Sequence, residues 1–293
     1  GPIGGFSKFF CFDEDNLVNM IKGNKKKISE IKIGEQINIG GKVLGILKFT
    51  SEENIMCNYN GIIVSATHLV KDNSKWKRIY EVDKIKIIKN NNKKFIYCLI
   101  TENNIINIGK YIFSDYIETS NPLINNKIKS KMITYLNKKQ YKNLSKKKHK
   151  DYYCSGFKGD VLIKTAEGNK KIKNIDVGDI LANGTKNLGI VKQKPLRQNV
   201  CVFNNIIMSD ENIIYYKKEW MQVKDIKEIK YIKYDKYLYN ICTEDNTLQI
   251  NDLIFRDYEE VEDKDICLIC DRYIEKHLNR IIERKKKVKN NLQ

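Results

Sequence analysis

The chain repeats itself, and the repeat limits what it can fold into. The segment from Gly23 to Glu35 (GNKKKISEIKIGE) is echoed from Gly168 to Asp179 (GNKKIKNIDVGD). Cys57 to Ser65 (CNYNGIIVS) matches Cys201 to Ser209 (CVFNNIIMS) without a gap. Tyr97-Cys98-Leu99-Ile100-Thr101-Glu102 pairs with Tyr239-Asn240-Ile241-Cys242-Thr243-Glu244, and Phe113-Ser114-Asp115-Tyr116 with Phe255-Arg256-Asp257-Tyr258. These blocks keep their order and nearly their spacing, so chance is a poor explanation and a tandem duplication is expected.

Each half reads as an all-β module. Leu17-Val18, Ile31 to Ile33, Ile37 to Ile39, Val43 to Leu47, Ile62 to Val64, Ile85 to Ile88 and Phe95 to Ile100 are short runs of β-branched, aromatic or other apolar residues. Gly-Asn dipeptides and Gly40-Gly41 mark turns between them. Ile128 to Leu144 has helical spacing inside a lysine-rich stretch and reads as a basic helix or linker. The tail from Cys267 to Val288 carries Leu268, Ile269, Tyr273, Ile274, Leu278, Ile281 and Ile282, a second helical stripe. The expected organisation is an upstream segment over 1–10, a first module over 11–119, and a basic linker over 120–153. A second module follows over 154–265, then a basic helical tail over 266–293.

The chain of 293 residues is long enough for two cores. No apolar run reaches membrane-spanning length and no signal-peptide pattern opens it. Gly1 rather than Met stands first, which fits a fragment, a processed product or a trimmed chain, and Gly1-Pro2 fits a tag-removal scar. Lys and Arg number 54 against 36 acidic residues, a formal net charge of +18 at pH 7. Lys146-Lys147-Lys148-His149-Lys150 and Arg284-Lys285-Lys286-Lys287 concentrate that charge. It allows contact with nucleic acid or an anionic surface. Lysine, asparagine and isoleucine enrichment from A/T-rich codons explains it more simply, and no stacking-aromatic or zinc pattern accompanies it. The 8 dispersed cysteines do not form a disulfide framework, so a reducing cytoplasm or a virion is expected rather than secretion. Cys267-Leu268-Ile269-Cys270 is a lone pair with only His277 near, so no metal and no cofactor are expected.

The ordered blocks of the first half resemble the Hint fold of inteins and Hedgehog autoprocessing domains. Cys11-Phe12-Asp13 before Leu17-Val18 resembles its opening block, and Ile28 to Glu35 its I-x-D-I-x-V-G-D element. Ser65-Ala66-Thr67-His68 resembles its Thr-x-x-His block with Ser for Thr, and Tyr97-Cys98-Leu99 its late block. The resemblance spans about residues 11 to 118 and, decayed, 154 to 263. Duplicated Hint modules of this kind are similar to those in proteins of large DNA viruses. The fold class implied is all-β: two tandem horseshoe-shaped Hint domains with a basic linker and a C-terminal helix.

The resemblance implies self-cleavage before Cys11. A cysteine is the stronger nucleophile because part of it is thiolate at neutral pH. Cys11 would attack the Phe10 carbonyl and form a thioester, His68 would protonate the departing nitrogen as a general acid near pH 7, and Ser65 would hold and polarise the peptide. Cys98 stands where the family often places an assisting Asp or Cys. Phe113-Ser114-Asp115-Tyr116 lacks the His-Asn and following nucleophile that splicing requires, so cleavage without ligation is expected. In the second half Gly156 falls opposite Cys11 and Asn212 opposite His68, with Cys154 two residues out of register, so that copy should be inert. Asp115 and Asp257, like Cys57 and Cys201, recur in both halves and read as structural. The upstream segment is the expected self-substrate. The rival reading is an inert Hint scaffold, a basic structural protein meeting protein partners in a viral particle, or nucleic acid.

Overall fold

Short apolar runs separated by residues that tolerate positive φ dictate short hairpins here. Asn60 and Gly61 have φ of 50° and 90°, and Asn204 and Asn205 at the matching place have 47° and 60°. Two successive left-handed residues are what a tight two-residue hairpin needs, because its twist then matches the strands. The computed structural model describes residues 9–52, 54–116, 155–195, 199–258 and 264–292, with backbone only for 264–275 and 277. The expected linker helix, Cys154, most of the upstream segment, and the side chains of Cys267, Cys270 and His277 lie outside the described residues.

In the first half the strands are β1 (Phe12–Asp13), β2 (Leu17–Asn19), β3 (Lys25–Lys27), β4 (Gln36–Ile37) and β5 (Gly41–Thr50). They continue with β6 (Met56–Tyr59), β7 (Ile62–Ser65), β8 (Leu69–Asp72) and β9 (Lys75–Arg78). The half closes with β10 (Lys86–Ile87), β11 (Phe95–Thr101), β12 (Ile105–Ile108) and β13 (Tyr111–Ser114). The second half begins with β14 (Phe157–Lys158), β15 (Leu162–Thr165), β16 (Gly168–Lys171) and β17 (Asn187–Gln193). Next come β18 (Val200–Phe203), β19 (Ile206–Ser209), β20 (Ile213–Tyr216) and β21 (Glu219–Gln222). The last are β22 (Lys230–Tyr231), β23 (Leu238–Thr243), β24 (Thr247–Ile250) and β25 (Leu253–Arg256), before the helix α1 (Lys264–Asn291). Among the described residues the architecture is all-β apart from short 3-10 turns and the C-terminal helix.

Two compact units result. The first gathers described residues within 1–43, 52–118 and 261–293; the second gathers those within 44–51 and 119–260. The expected boundaries at 119 and 154 fall outside the described residues. Residues 44–51 join the second unit because Gly45 to Phe49 pair antiparallel with Gly189 to Gln193 of β17. A contiguous reading of the sequence does not reveal that, since a strand's partner is chosen by tertiary pairing.

Within the first unit a six-stranded sheet runs β3-β2-β12-β13-β8-β9. Separately, β1 lies between β7 and β11, with Phe12 opposite Val64 and Tyr97. In α1, Leu278 and Ile282 are buried while Arg284, Lys286 and Lys287 are exposed. Trp76 Nε1 donates to Asn279 Oδ1 at 3.1 Å, and Lys285 Nζ donates to the Ile39 carbonyl. The second unit repeats the central pairing: β14 lies between β19 and β23, with Phe157 opposite Met208 and Tyr239.

Both units use one turn device. Asp115 Oδ2 accepts from Thr101 N at 2.7 Å, and Asp257 Oδ2 accepts from Thr243 N at 2.7 Å. Asp115 is fully buried, and burial raises its carboxyl to about 7 against the Thr101 and Asn104 hydrogen bonds that lower it. The structural roles expected for these aspartates agree with that placement. Cys57 and Cys201 are buried, and burial pushes their thiols to about 11 and about 12.

One expected strand is absent and a second is cut short. Ile31 to Ile33 follows the single 3-10 turn Ile28–Glu30, and Ile28 and Ile31 are the residues that point inward. Their spacing of three suits the eclipsed side chains of a 3-10 turn, which an apolar-rich run disguises as β. The run Ile37 to Ile39 ends early because Ile39 takes φ 65°. Conversely β6, β8, β9, β12 and β13 lie outside the apolar runs that mark strands in the sequence.

The second unit encloses an ion pair. Lys224 Nζ lies 3.3 Å from Glu211 Oε1, with side-chain exposures of 1% and 7%. Gln222 Nε2 donates to Glu211 Oε2 at 3.2 Å. Removing one member of a buried pair strands the other charge. Glu211→Ala is therefore expected to cost about 3–5 kcal/mol in denaturant unfolding, and E211M/K224M distinctly less. Equal losses in the two variants would show that the pair is not what matters.

Candidate functional site

The two-residue strand β1 sets the site. Because Phe12 is paired on both sides, the preceding residue, Cys11, is drawn into the interior and is fully buried. Ser65 at the end of β7 brackets it: Ser65 N donates to the Cys11 carbonyl at 2.9 Å, and Cys11 N donates to Ser65 Oγ at 3.0 Å. The chain then turns, with His68 N donating to the Ser65 carbonyl at 3.1 Å. That turn carries the imidazole onto Phe12, at 4.5 Å between ring centres. Cys11, Ser65 and His68 are thus brought to one place, although 54 residues separate Cys11 from Ser65.

The state of His68 is legible from its partners. Nε2 lies 2.7 Å from the Ser114 carbonyl. A carbonyl only accepts, so Nε2 carries the proton and Nδ1 is bare. Nδ1 is buried with no hydrogen bond of normal geometry. Burial lowers the pKa of His68 from 6.5 to about 4; the Ser114 and Phe10 carbonyls favour the charged ring and the Arg78 cation opposes it. His68 is therefore neutral at pH 7. The expected general acid therefore starts neutral, and must gain a proton before it can pass one to the departing nitrogen.

Phe10 is held on its own account. The Arg78 guanidinium lies 5.0 Å from the centre of its ring and the Tyr116 ring 5.6 Å away. Arg78 Nη1 also donates to the Thr67 carbonyl at 2.8 Å. Phe9 is buried, and its N–H donates to Asn54 Oδ1 at 2.9 Å. Sequence reasoning missed Arg78, Tyr116 and Asn54. Arg78 sits among lysines in β9 and gives no signal there; Tyr116 recurs as Tyr258, which is a faint one.

Cys98 lies on β11 beside Tyr97, the partner of Phe12, and is buried. Its Sγ makes a weak contact with the Leu99 carbonyl at 3.8 Å. In the second unit the matching residue, Asn240, donates to Ser155 Oγ at 3.2 Å. No cluster of His, Cys, Asp or Glu suited to a metal ion occurs among the described residues.

The second unit has the same backbone with different chemistry. Ser209 N donates to the Gly156 carbonyl at 2.9 Å, as Ser65 N does to Cys11. Gly156 N, however, donates to Asn212 Oδ1 at 3.0 Å, and Asn212 Nδ2 returns a bond to the Gly156 carbonyl at 2.8 Å. One amide thus clamps both sides of the residue opposite Cys11. Ser209 Oγ is turned to Glu211 N at 3.1 Å instead.

Comparison with known proteins gives one family match: residues 10–111 fit the Hint-domain family Vint. Among solved structures, the gp41-1 intein is 21% identical at a TM-score of 0.31, over 35% of this chain and 98% of the intein. A triple-substituted form of that intein is 22% identical at a TM-score of 0.25, over 35% of this chain and 99% of that one. No curated protein matches. The Hint β fold of residues 10–111 rests on the family match together with the strand pairing, not on those two superpositions.

Two outcomes follow from this geometry. A Cβ on Gly156 would lie 2.7 Å from the Tyr239 carbonyl oxygen, and φ there is 144°, so G156A and G156C should both destabilise the second unit in thermal unfolding. Wild-type stability in both would show that the backbone yields easily. For His68 the unfolded chain binds the extra proton between pH 6.5 and 4, so its contribution is complete above 6.5 and lost as pH falls towards 4. Asp115 acts in the opposite sense, because its raised carboxyl keeps its proton up to about 7 in the folded state. Relative to the wild-type chain, His68→Asn should therefore gain stability on acidification from pH 6.5 to 4, measured by denaturant midpoints. Parallel curves would mean that His68 is not held neutral.

Proposed function

We propose that the first unit is an autoprocessing Hint domain that cuts its own chain before Cys11, without splicing. The observation that carries this reading is the bracketed peptide itself. Cys11 N–H rests on Ser65 Oγ at 3.0 Å, and the neutral imidazole of His68 lies against the Phe10 carbonyl side. The bare Nδ1 takes the thiol proton of Cys11. The thiolate attacks the Phe10 carbonyl carbon, Ser65 holds the peptide nitrogen, and the proton on His68 passes to that nitrogen as the C–N bond breaks. A Phe10 thioester on Cys11 and a free amine at Cys11 result. Water or another thiol, amine or hydroxyl then displaces the thiol. Cys98 keeps the weaker supporting role that the family resemblance implies.

Splicing has no support in the residues that end the module. The Asp115 carboxyl is taken up by Thr101 and Asn104, and Tyr116 is packed on Phe10. The second unit serves as an inert partner module of the same descent, its Gly156 and Asn212 lacking both a nucleophile and a proton carrier. The tandem arrangement and a viral setting belong to the same reading, supported by the repeated blocks and the repeated pairing of Phe12 and Phe157. A virion scaffold with no activity is the alternative, and its lysine-rich helix face is the feature that favours it.

The test follows chain size. A chain bearing an N-terminal fusion upstream of Gly1 should lose it between Phe10 and Cys11, faster with hydroxylamine or a thiol, and C11A should remain whole. Because the base is neutral from about pH 5 upward, the rate should stay level between pH 5 and 7.5 rather than fall above the ordinary imidazole range. Identical persistence of wild type and C11A overturns the autoprocessing reading.

A further inference from the structure

The contacts around Phe10 go beyond what cutting a peptide requires. Its carbonyl is the only part that reacts, yet its ring is flanked by a cation and by a second ring. Arg78 is 8% exposed, its guanidinium 5.0 Å from the Phe10 ring centre, and Nη1 is anchored on the Thr67 carbonyl at 2.8 Å. Tyr116 is fully buried and tilted at 42° to the Phe10 ring, 5.6 Å away. A guanidinium over an aromatic face is attracted by the ring quadrupole, and more strongly where water is excluded. An aliphatic side chain has no such face to offer.

The second unit supplies an internal comparison. Ile79 N donates to the His68 carbonyl and Val223 N to the Asn212 carbonyl, both at 2.9 Å, which sets Gln222 opposite Arg78. Ser155 stands opposite Phe10, immediately before Gly156. The aromatic residue and the cation are thus replaced together in the copy that has no nucleophile, while the tyrosine persists as Tyr258.

We infer that Arg78 and Tyr116 form a subsite that selects an aromatic residue on the acyl side of the cut, so that the substrate class is a chain ending in an aromatic residue before the cysteine. This rests on the proposed cleavage before Cys11. Arg78 acts here as a specificity and positioning residue: fixing the ring fixes the carbonyl that the ring's own backbone carries. Phe9, buried and tied to Asn54 Oδ1 at 2.9 Å, adds a second grip one residue further from the cut.

Cleavage rates of the full chain with Phe10 replaced by Tyr, Trp, Leu or Ala test the selection. Tyr and Trp should cut at rates near that of Phe, and Leu and Ala about 2- to 30-fold more slowly, the range that cation–ring attraction covers. In R78Q that preference should shrink to within about 2-fold, and R78K should keep part of it. Leu matching Phe in the wild-type background, or an undiminished preference in R78Q, overturns the subsite. A second measurement does not need cleavage. In the C11A chain, which stays whole, thermal shifts of F10L, R78Q and their combination should be non-additive, because both remove one contact. Additive shifts overturn the subsite. Coupled shifts in C11A, with no Cys11-dependent cutting in any variant, keep the Phe10–Arg78 contact but sink the autoprocessing reading and with it the selecting role, whereas cutting without a preference for aromatic residues overturns the subsite alone.

Discussion

The pairing of Phe12 on both of its edges is the constraint on which the candidate site depends. A strand of two residues has little of its own to hold it, so its position is set by Val64 on one side and Tyr97 on the other. That places Cys11 one residue before a fixed point. Ser65, the last residue of the flanking strand, can then reach both the nitrogen and the carbonyl of Cys11. The short turn after Ser65 delivers His68 with no freedom left in its placement. A slip of one residue in this register would send the thiol to the opposite face.

Burial does the rest of the chemistry. His68 and Asp115 are both fully enclosed, and desolvation disfavours the charged form of each. The imidazole is therefore neutral and the carboxyl holds its proton to about 7. Charging the ring costs about 3 kcal/mol relative to water, at about 1.4 kcal/mol for each pH unit by which its pKa falls. The same enclosure that makes His68 a poor acid at rest keeps its bare nitrogen free of water. In the proposed cleavage, the proton taken from the thiol is the one that the leaving nitrogen receives.

The two units show how the same pairing can hold different chemistry. Where the first has Cys11, Ser65 and His68, the second has Gly156 and an Asn212 amide that bonds both the nitrogen and the carbonyl of Gly156. At Gly156 the Tyr239 backbone occupies the place a Cβ would take, so space for a side chain is missing as well as the reactive groups. The buried Lys224–Glu211 pair belongs to this altered surround, while the aspartate–threonine turn device is unchanged.

The sequence alone determined the β class and the repeated blocks, because block order and turn residues are local signals; the duplication and an inert second copy are what we propose from them. It also marked Cys11, Ser65 and His68, each of which sits in a recognisable block, as the residues to look for together. Single apolar runs misled where a 3-10 turn imitates a strand at Ile28 to Ile33. Only the tertiary structure decided that His68 is held neutral, because its pKa depends on how completely the surrounding chain excludes water. Only the tertiary structure brought Arg78 and Tyr116 to Phe10, and assigned residues 44–51 to the second unit. Those outcomes depend on which distant segments pack together, and no local pattern in β9 or β5 encodes the identity of its neighbour.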